Sequence, residues 1–244
     1  MSNQFDLDPK LKIEIVFSGS GGAYGYYMGI CEILQKKFDL SEVLFSSVSG
    51  GCYSPVFLLS KNNIPDFFQK TQNTLFNKLS KTRTGSLFNW NKIINETAIE
   101  YFKDIDINLI NKKLIIKTSK IDNILNPYSW KATYFNNWDD VNDLCNCIQA
   151  SSYLPIYGTK LLIDYKDNYY ADGIFTHKTK EPVSKLPHYV FHLDKWRKIP
   201  TTWYHVYNDY EWGNKLYQMG KKDALENFQE IKDFFNKYSS QTYL

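Results

Sequence analysis

A short turn rich in serine and glycine, set between two apolar segments, constrains this chain more than any other feature. Residues 42–59 read EVLFSSVSGGCYSPVFLL, so apolar runs flank the pentapeptide Ser47-Val48-Ser49-Gly50-Gly51. Small neighbours allow a serine to occupy a sharp strand-to-helix turn, where its hydroxyl is presented for attack. Ser49 is therefore the candidate nucleophile, although Ser/Gly pentapeptides are also typical of ordinary turns.

Strand and helix patterns alternate through the first 60 residues. Residues 12–17 (KIEIVF) predict a buried strand that ends in the loop Ser18-Gly19-Ser20-Gly21-Gly22, and residues 23–37 predict a helix. Residues 43–46 and 50–59 repeat the order of strand and helix around Ser49. This alternation predicts a parallel sheet, and the carboxyl ends of its strands would place the loop 18–22 beside Ser49.

The remaining pattern predicts further helices and strands without a domain boundary. The predicted helices are 64–80, 90–102, 139–151 and 213–238, and the predicted strands are 113–118, 131–135, 161–165, 169–171, 189–193 and 202–207. We find no internal repeat or low-complexity tract. We therefore expect one domain over 1–244 with a core of about 12–228, in which residues 61–110 form a helical cap or lid.

Charge and cysteine content exclude several classes of function. The 29 Lys and Arg residues against 26 Asp and Glu residues give a net charge of +3, scattered along the chain, which does not favour a nucleic-acid partner. The four cysteines form no CxxC pair and have no histidine at zinc-ligand spacing. We expect reduced thiols, no metal and no cofactor. The N-terminus has no apolar signal segment, so the expected location is intracellular, cytoplasmic or peripherally membrane-associated.

Three separated pieces of the sequence suit one reaction. Gly21 and Gly22 offer backbone N–H groups for an oxyanion hole, Ser49 offers the attacking oxygen, and the helix after it, with Gly50, turns its positive end toward the developing charge. Asp172, in an Asp-Gly turn after a short strand, can take the proton of Ser49. A carboxylate with an ordinary pKa is a weak base, so Asp172 would need an apolar, desolvated site.

With these pieces in family order, the chain resembles the patatin-like phospholipase domains. The motifs that carry the resemblance are SGSGGAYGYYMGI, SVSGG, the segment Ala150-Ser151-Ser152-Tyr153-Leu154-Pro155 and Asp172-Gly173-Ile174. Residues 216–224 also resemble the C-terminal helices of the family, so the match spans about 12–228. The resemblance implies an α/β fold, a three-layer sandwich with a mainly parallel central sheet, and a catalytic dyad of Ser49 and Asp172.

The resemblance also implies a function. The expected activity is that of a serine acyl-ester hydrolase, a phospholipase A or lipid acyl hydrolase, which forms an acyl-serine and needs no metal. The expected partner is a phospholipid or another acyl lipid, reached at a membrane surface through the aromatic-rich helices of residues 61–103. Oligomeric state is not predicted.

The sequence leaves alternatives open. The loop also aligns with Gly19, Ser20 and Gly21 as the oxyanion triplet. A Ser-Asp-His triad of the α/β-hydrolase type is possible, because histidines 177, 188, 192 and 205 follow Asp172. Ser47 replaces the first elbow glycine and Tyr24 stands where most family members have Arg or Lys, which motivates a lipid-binding pseudoenzyme. A nucleotide site is disfavoured, because no acidic residue ends the second strand.

Overall fold

A computed structural model describes residues 5–199 and 210–239 as an α/β protein with a mixed seven-stranded sheet. The strands are β1 (Ile13–Phe17), β2 (Val43–Val48), β3 (Leu114–Lys120), β4 (Lys131–Phe135), β5 (Ile163–Tyr165), β6 (Asn168–Ala171) and β7 (His188–Phe191). The helices are α1 (Tyr24–Lys37), α2 (Tyr53–Leu59), α3 (Ile64–Ser80), α4 (Trp90–Phe102), α5 (Val141–Ser152), α6 (Tyr210–Glu226) and α7 (Phe228–Tyr238).

The sheet has a parallel half and an antiparallel half. Strands β7, β1, β2 and β3 run parallel to their neighbours, in the order β7-β1-β2-β3. Strands β4 and β6 both pair with β3 in the antiparallel sense, and β5 pairs with β6 in the same way. The prediction of a mainly parallel sheet is therefore wrong. The sequence predicts two short strands, 161–165 and 169–171, which suit a hairpin, but periodicity carries no information on the direction of these strands relative to β3.

Two strands meet end to end along one edge of β3. Strand β2 pairs with β3 until Val48 lies opposite Lys117. Two residues further along β3, Ser119 lies opposite Ala171, the last residue of β6. Because β4 occupies the other edge of β3 over residues 116–120, β2 and β6 must share one edge and approach it from opposite directions. The segments that follow β2 and β6 are thereby brought together.

The helices pack on one face of the sheet. Ile13, Ile15 and Phe17 alternate along β1 into the main hydrophobic core, to which each of the seven helices contributes buried side chains. The opposite face carries a smaller cluster of Leu11, Leu44 and Ile115. Irregular segments around residues 5–11 and 183–186, rather than helices, cover this second face in the described part of the chain.

A buried carboxylate fixes this irregular cover. Glu14 in β1 is fully buried and accepts hydrogen bonds from the backbone N–H groups of Val183 and Ser184, at 2.8 and 2.9 Å, and from the hydroxyl of Ser46. A buried charge is stable only when it is hydrogen-bonded in this way. Glu14 thus has a structural role, on the face of the sheet away from the helices.

Most of the predicted elements are present, with one difference near the C-terminus. Helices α3 and α4 have the predicted bounds, and they lie in the segment predicted as a cap. The single helix predicted over 213–238 is instead two helices, since α6 ends at Glu226 and α7 begins at Phe228. The predicted strand 202–207 lies outside the described residues. Among the helices that the structure describes, none combines the length and the apolar character needed to cross a membrane.

Candidate active site

Ser49 occupies a strained backbone position at the end of β2. Its φ of 57° lies in the left-handed region, which a residue other than glycine rarely adopts. The residues from Ser49 to Cys52 form a 3-10 turn that leads into α2. Strain of this kind persists only where the surrounding structure imposes it, and it turns the side chain out of the strand direction. The sharp turn expected from the Ser/Gly pentapeptide is therefore present.

The side chains of Ser49 and Asp172 are hydrogen-bonded directly. Ser49 donates its hydroxyl to Asp172 Oδ2 over 2.6 Å, and both residues are buried. The other carboxylate oxygen, Oδ1, accepts from the backbone N–H of Ile174 at 3.0 Å. The two residues are 123 positions apart in sequence, and the meeting of β2 and β6 on β3 explains their contact.

The backbone on both sides of Asp172 is held as well. Its N–H donates to the carbonyl oxygen of Tyr153, and its own carbonyl oxygen accepts from the hydroxyl of Ser119. A side chain at Gly173 would bring a Cβ within 2.4 Å of the Lys117 carbonyl oxygen, so only glycine fits there. The carboxylate is thus positioned by rigid elements rather than by a free loop.

Burial makes Asp172 a stronger base than an ordinary carboxylate. Desolvation raises the pKa of Asp172 from 3.8 to about 7, against the hydrogen bonds from Ile174 and Ser49, which act to lower this pKa. A pKa near neutrality is suited to general-base chemistry at physiological pH. The sequence analysis required a desolvated site for Asp172, and Asp172 is buried in such a site.

The glycine-rich loop packs directly against the turn that carries Ser49. A Cβ on Gly50 would lie 2.8 Å from the carbonyl oxygen and 3.0 Å from the nitrogen of Gly21, so the two backbones touch. A Cβ on Gly19 would be in van der Waals contact with Ser49 Cβ, at 3.5 Å. Gly21 and Gly50 both line the pocket that contains Ser49. Two of the glycines expected in the oxyanion hole, Gly21 and Gly50, therefore lie beside Ser49.

Gly22 and Ser20 are buried in the same loop but are absent from the residues that line this pocket. Ser20 accepts the N–H of Ala23 on its carbonyl oxygen, at the start of the 3-10 turn that leads into α1. Gly21 has a φ of 50°, which requires glycine. The loop conformation thus exposes Gly21 to the pocket in preference to its neighbours.

Ser151 is a site residue to which the sequence analysis assigned no role. Its hydroxyl oxygen accepts the backbone N–H of Ser49 at 2.9 Å and donates to the Lys117 carbonyl oxygen at 2.6 Å. Ser151 is completely buried at the end of α5, where it links the strained turn to β3. The sequence signal for Ser151 was its place in the segment 150–155, which resembles a family motif. That resemblance did not predict the contact of Ser151 with Ser49.

Ser47 does not distort the turn. It is buried within β2, opposite Phe17 on one side and Ile116 on the other, so the strand continues regularly through this position. The departure from a glycine at the first position of the motif thus leaves the left-handed conformation of Ser49 intact.

The described histidines are not partners of Asp172. His177 bonds through Nε2 with the Thr118 carbonyl oxygen at 2.9 Å, and its ring packs edge-on against Tyr134. Burial lowers the pKa of His177 and of His192. The hydrogen-bond partners of the Asp172 carboxylate are Ser49 and Ile174, and the fourth candidate, His205, lies outside the described residues.

The four cysteines of this chain are buried thiols. Cys31, Cys52, Cys145 and Cys147 are buried and unpaired, and burial raises the pKa of each thiol. Within residues 5–199 and 210–239, no cluster of His, Cys, Asp and Glu is arranged to hold a metal ion.

Comparison with models of known protein families gives no match to this chain, and a search of curated proteins finds no relative. The site is therefore interpreted from its own geometry. A buried serine in a strained turn, hydrogen-bonded to a desolvated carboxylate and surrounded by glycine backbone, can act as an activated nucleophile.

Proposed function

We propose that this chain is a serine acyl-ester hydrolase, a phospholipase A or lipid acyl hydrolase of the patatin-like type. The observation that carries the proposal is the 2.6 Å hydrogen bond from Ser49 Oγ to Asp172 Oδ2, made at a strained strand-to-helix turn. Catalytic nucleophiles require a base within hydrogen-bond distance, and here the pKa of that base is raised to about 7.

The proposed reaction has two steps that use the same groups. Ser49 Oγ attacks the ester carbonyl carbon while Asp172 takes the hydroxyl proton. Backbone N–H groups of Gly21 and Gly50, with Gly22 or Gly19 as further candidates, stabilise the oxyanion. The proton passes from Asp172 to the leaving alcohol, and an acyl-serine remains. Water then gives a proton to Asp172 and attacks the acyl-serine, which releases the fatty acid and restores Ser49.

The proposed substrate is a glycerophospholipid or another acyl lipid. The lining of the pocket at Ser49 favours a substrate with an apolar acyl group, because no charged side chain contributes to it. The apolar and aromatic residues in this lining are Tyr24, Tyr53, Trp90, Ile94 and Leu154. A charged head group has no partner there and would remain outside. The proposed partner is a membrane surface that supplies the lipid.

The test is labelling by a fluorophosphonate probe together with turnover of a fluorogenic acyl ester. We expect Ser49→Ala to abolish labelling and turnover, and Asp172→Asn to lower turnover by at least about 100-fold. Matched controls are Ser80→Ala and Asp164→Asn, which alter exposed residues of the same types.

Two results would contradict the proposal. No labelling of the wild-type protein would indicate a lipid-binding pseudoenzyme. Turnover that is lost in His177→Gln, His188→Gln or His192→Gln as well as in Asp172→Asn would indicate a triad instead of the dyad.

A further inference from the structure

The cavity beside Ser49 is closed in this structure. It measures about 20 Å³, which is room for about one water molecule. Ser49 itself is 6% exposed. An ester with its acyl and alcohol groups needs far more space than this. Attack by Ser49 on such a substrate therefore requires one wall of the cavity to move away.

The wall of this cavity has fixed parts and one part that can move. Gly21 and Gly50 belong to the loops that follow β1 and β2, and the first residues of α1 and α2 also contribute. Trp90 and Ile94 line the cavity from α4. Helix α4 packs mainly on the helices α3 and α5. It can therefore move away from Ser49 without disturbing the pairing of the strands.

The turn between α3 and α4 is held together by its own hydrogen bonds. Asn89 Nδ2 donates to Thr84 Oγ1 over 2.8 Å and to the Leu87 carbonyl oxygen over 3.0 Å. Thr82 donates its hydroxyl to the Gly85 carbonyl oxygen over 2.9 Å. Because these bonds lie within the turn, the turn and the start of α4 can move as one piece.

One residue of this turn is strained in the closed form. Phe88 has a φ of 64°, in the left-handed region that a residue other than glycine rarely adopts. Such strain persists only where the surrounding structure imposes it. Phe88 is exposed and lies two residues before Trp90, so the strained position joins the exposed turn to the wall of the cavity.

Asn91 holds this piece against the site. Its Nδ2 donates to the carbonyl oxygen of Leu154 over 2.9 Å, and its own carbonyl oxygen accepts from Gln149 Nε2 over 3.0 Å. Asn91 is buried, and Leu154 is itself part of the cavity wall. Water replaces both hydrogen bonds when the helix moves away, so the net cost of breaking them is small. Asn91 is therefore suited to a reversible closure.

We propose that residues 81–94 form a lid over Ser49, which Asn91 keeps shut in water and which opens when the turn between α3 and α4 binds a lipid surface. The inference rests on the proposed function and concerns the regulation of the same site. Leu87 and Phe88 are exposed on this lid, and a lipid surface would bury them. Movement of the turn toward the lipid draws α4 away from Ser49, and the ester enters through the gap. The enzyme would thus be slow in water and fast at a membrane.

The first experiment measures access to the site independently of catalysis. Ser49→Cys places a thiol at the position of the nucleophile, and its reaction with N-ethylmaleimide is compared with and without vesicles of phosphatidylcholine and phosphatidylserine. The four native cysteines are buried, and their background reaction is measured in the parent protein. We expect vesicles to accelerate the reaction at position 49 at least about tenfold. Leu87→Asp in the same background should abolish that acceleration and leave the rate in water unchanged.

The closure by Asn91 is tested without lipid. Asn91→Ala removes the hydrogen bond to Leu154 and should speed the maleimide reaction of Ser49→Cys in water at least about fivefold. Gln149→Ala removes the other hydrogen bond from the side of α5 and should act in the same direction, so the test does not depend on one variant. The matched control is Asn95→Ala, one turn further along α4, whose side chain contacts α5 away from the cavity wall. It should leave the rate unchanged.

The possible failures are distinguishable. If vesicles leave the maleimide rate at position 49 unchanged, opening at a lipid surface is wrong. If Asn91→Ala and Gln149→Ala both leave that rate unchanged, closure by Asn91 is wrong. If the rates rise as expected but the wild-type protein neither hydrolyses p-nitrophenyl butyrate nor reacts with a fluorophosphonate, the proposed hydrolase is wrong while the lid remains. In an active enzyme, Asn91→Ala should raise turnover of this soluble ester in water and reduce its stimulation by vesicles.

Discussion

Asp172 is the residue on which the proposed chemistry of the site depends most. Its carboxylate has two hydrogen-bond donors, Ser49 and Ile174, and no cationic side chain among them. Burial favours the protonated form of Asp172 and raises its pKa. The two hydrogen bonds lower this pKa, but by less than burial raises it. Both the activity and the free energy of unfolding should therefore depend on pH near the pKa of Asp172.

We predict that kcat/KM for a water-soluble ester rises with pH and levels off above a pKa of about 7. Only the ionised form of Asp172 can accept the proton of Ser49, and the pKa of Asp172 is raised to about 7 by desolvation. Below that value the rate should fall about tenfold per pH unit. A pH–rate profile from pH 5 to pH 9, corrected with Ser49→Ala, measures this. A rate that is constant down to about pH 5 would contradict it.

The same pKa has an effect of opposite sign on stability. The folded pKa of Asp172 is above its unfolded value, so the folded state binds more protons between about pH 4 and pH 7. The free energy of unfolding should therefore decrease as the pH rises through this window. Asp172→Asn should remove that decrease, which is at most about 4 kcal/mol for a shift of this size. Urea unfolding of both proteins at several pH values makes the comparison.

At the residue scale, the sequence predicted that Ser49 and Asp172 lie together, but not what holds them. Ser49 and Asp172 each follow a strand at a turn rich in small residues, and that local pattern is visible in the sequence. The hydroxyl of Ser151 reaches the N–H of Ser49 from a helix 102 positions away. No local pattern encodes such a contact, because it depends on how α5 packs against β2 and β3.

At the element scale, the position of the site follows from the convergence of β2 and β6 on β3. The loop after β1 would lie beside Ser49 in any parallel arrangement, and the sequence predicted this. The approach of Asp172 instead requires an antiparallel strand that continues the edge of β3 beyond β2. The antiparallel pairing of β6 with β3, which the sequence analysis did not predict, is what brings Asp172 to Ser49.

The break between α6 and α7 has a comparable physical cause. Helix α6 packs along α1, whereas α7 places Phe228 and Phe235 against Phe38, with ring centroids 5.5 and 4.4 Å apart. The hydrophobic periodicity is nearly continuous through residues 213–238, so it predicted one helix. The structure instead divides this segment at Asn227, and the second helix packs on Phe38, directly after the end of α1.

The contact between α1 and α6 depends on glycines in both helices, and we predict that Gly220→Ala is strongly destabilising. A Cβ at Gly220 would lie 1.9 Å from the Tyr26 carbonyl oxygen, so the helices would have to separate. We expect a loss of about 3 kcal/mol or more in the free energy of unfolding. In a helix without this contact, alanine would instead stabilise by about 1 kcal/mol.

The sign of the change in the free energy of unfolding of Gly220→Ala therefore shows whether α1 and α6 are in close contact. Urea denaturation measures this free energy. The control is Gln218→Ala, at an exposed position of the same helix, which should change the free energy of unfolding by less than about 0.5 kcal/mol. A more stable Gly220→Ala protein would show that α1 and α6 are not in close contact.

At the scale of the whole molecule, the proposed lipid substrate requires a surface that faces the membrane. The turn between α3 and α4, residues 81–88, combines the exposed cations Lys81 and Arg83 with the exposed apolar side chains Leu87 and Phe88. It ends two residues before Trp90, which lines the Ser49 pocket. Basic and apolar groups together suit an anionic lipid surface, and this turn lies within the region expected to make that contact.

We predict that Leu87→Asp and Phe88→Asp each weaken binding to mixed phosphatidylcholine and phosphatidylserine vesicles at least about tenfold, since each removes a large apolar side chain from the interface. Added salt should weaken binding of the wild-type protein through Lys81 and Arg83. Vesicle sedimentation measures both effects.

The control is Leu125→Asp, in the loop between β3 and β4, where the side chain is 89% exposed. If Leu125→Asp abolishes vesicle binding while Phe88→Asp does not, the prediction is wrong. The membrane contact then lies on the loop between β3 and β4, and not on the turn between α3 and α4.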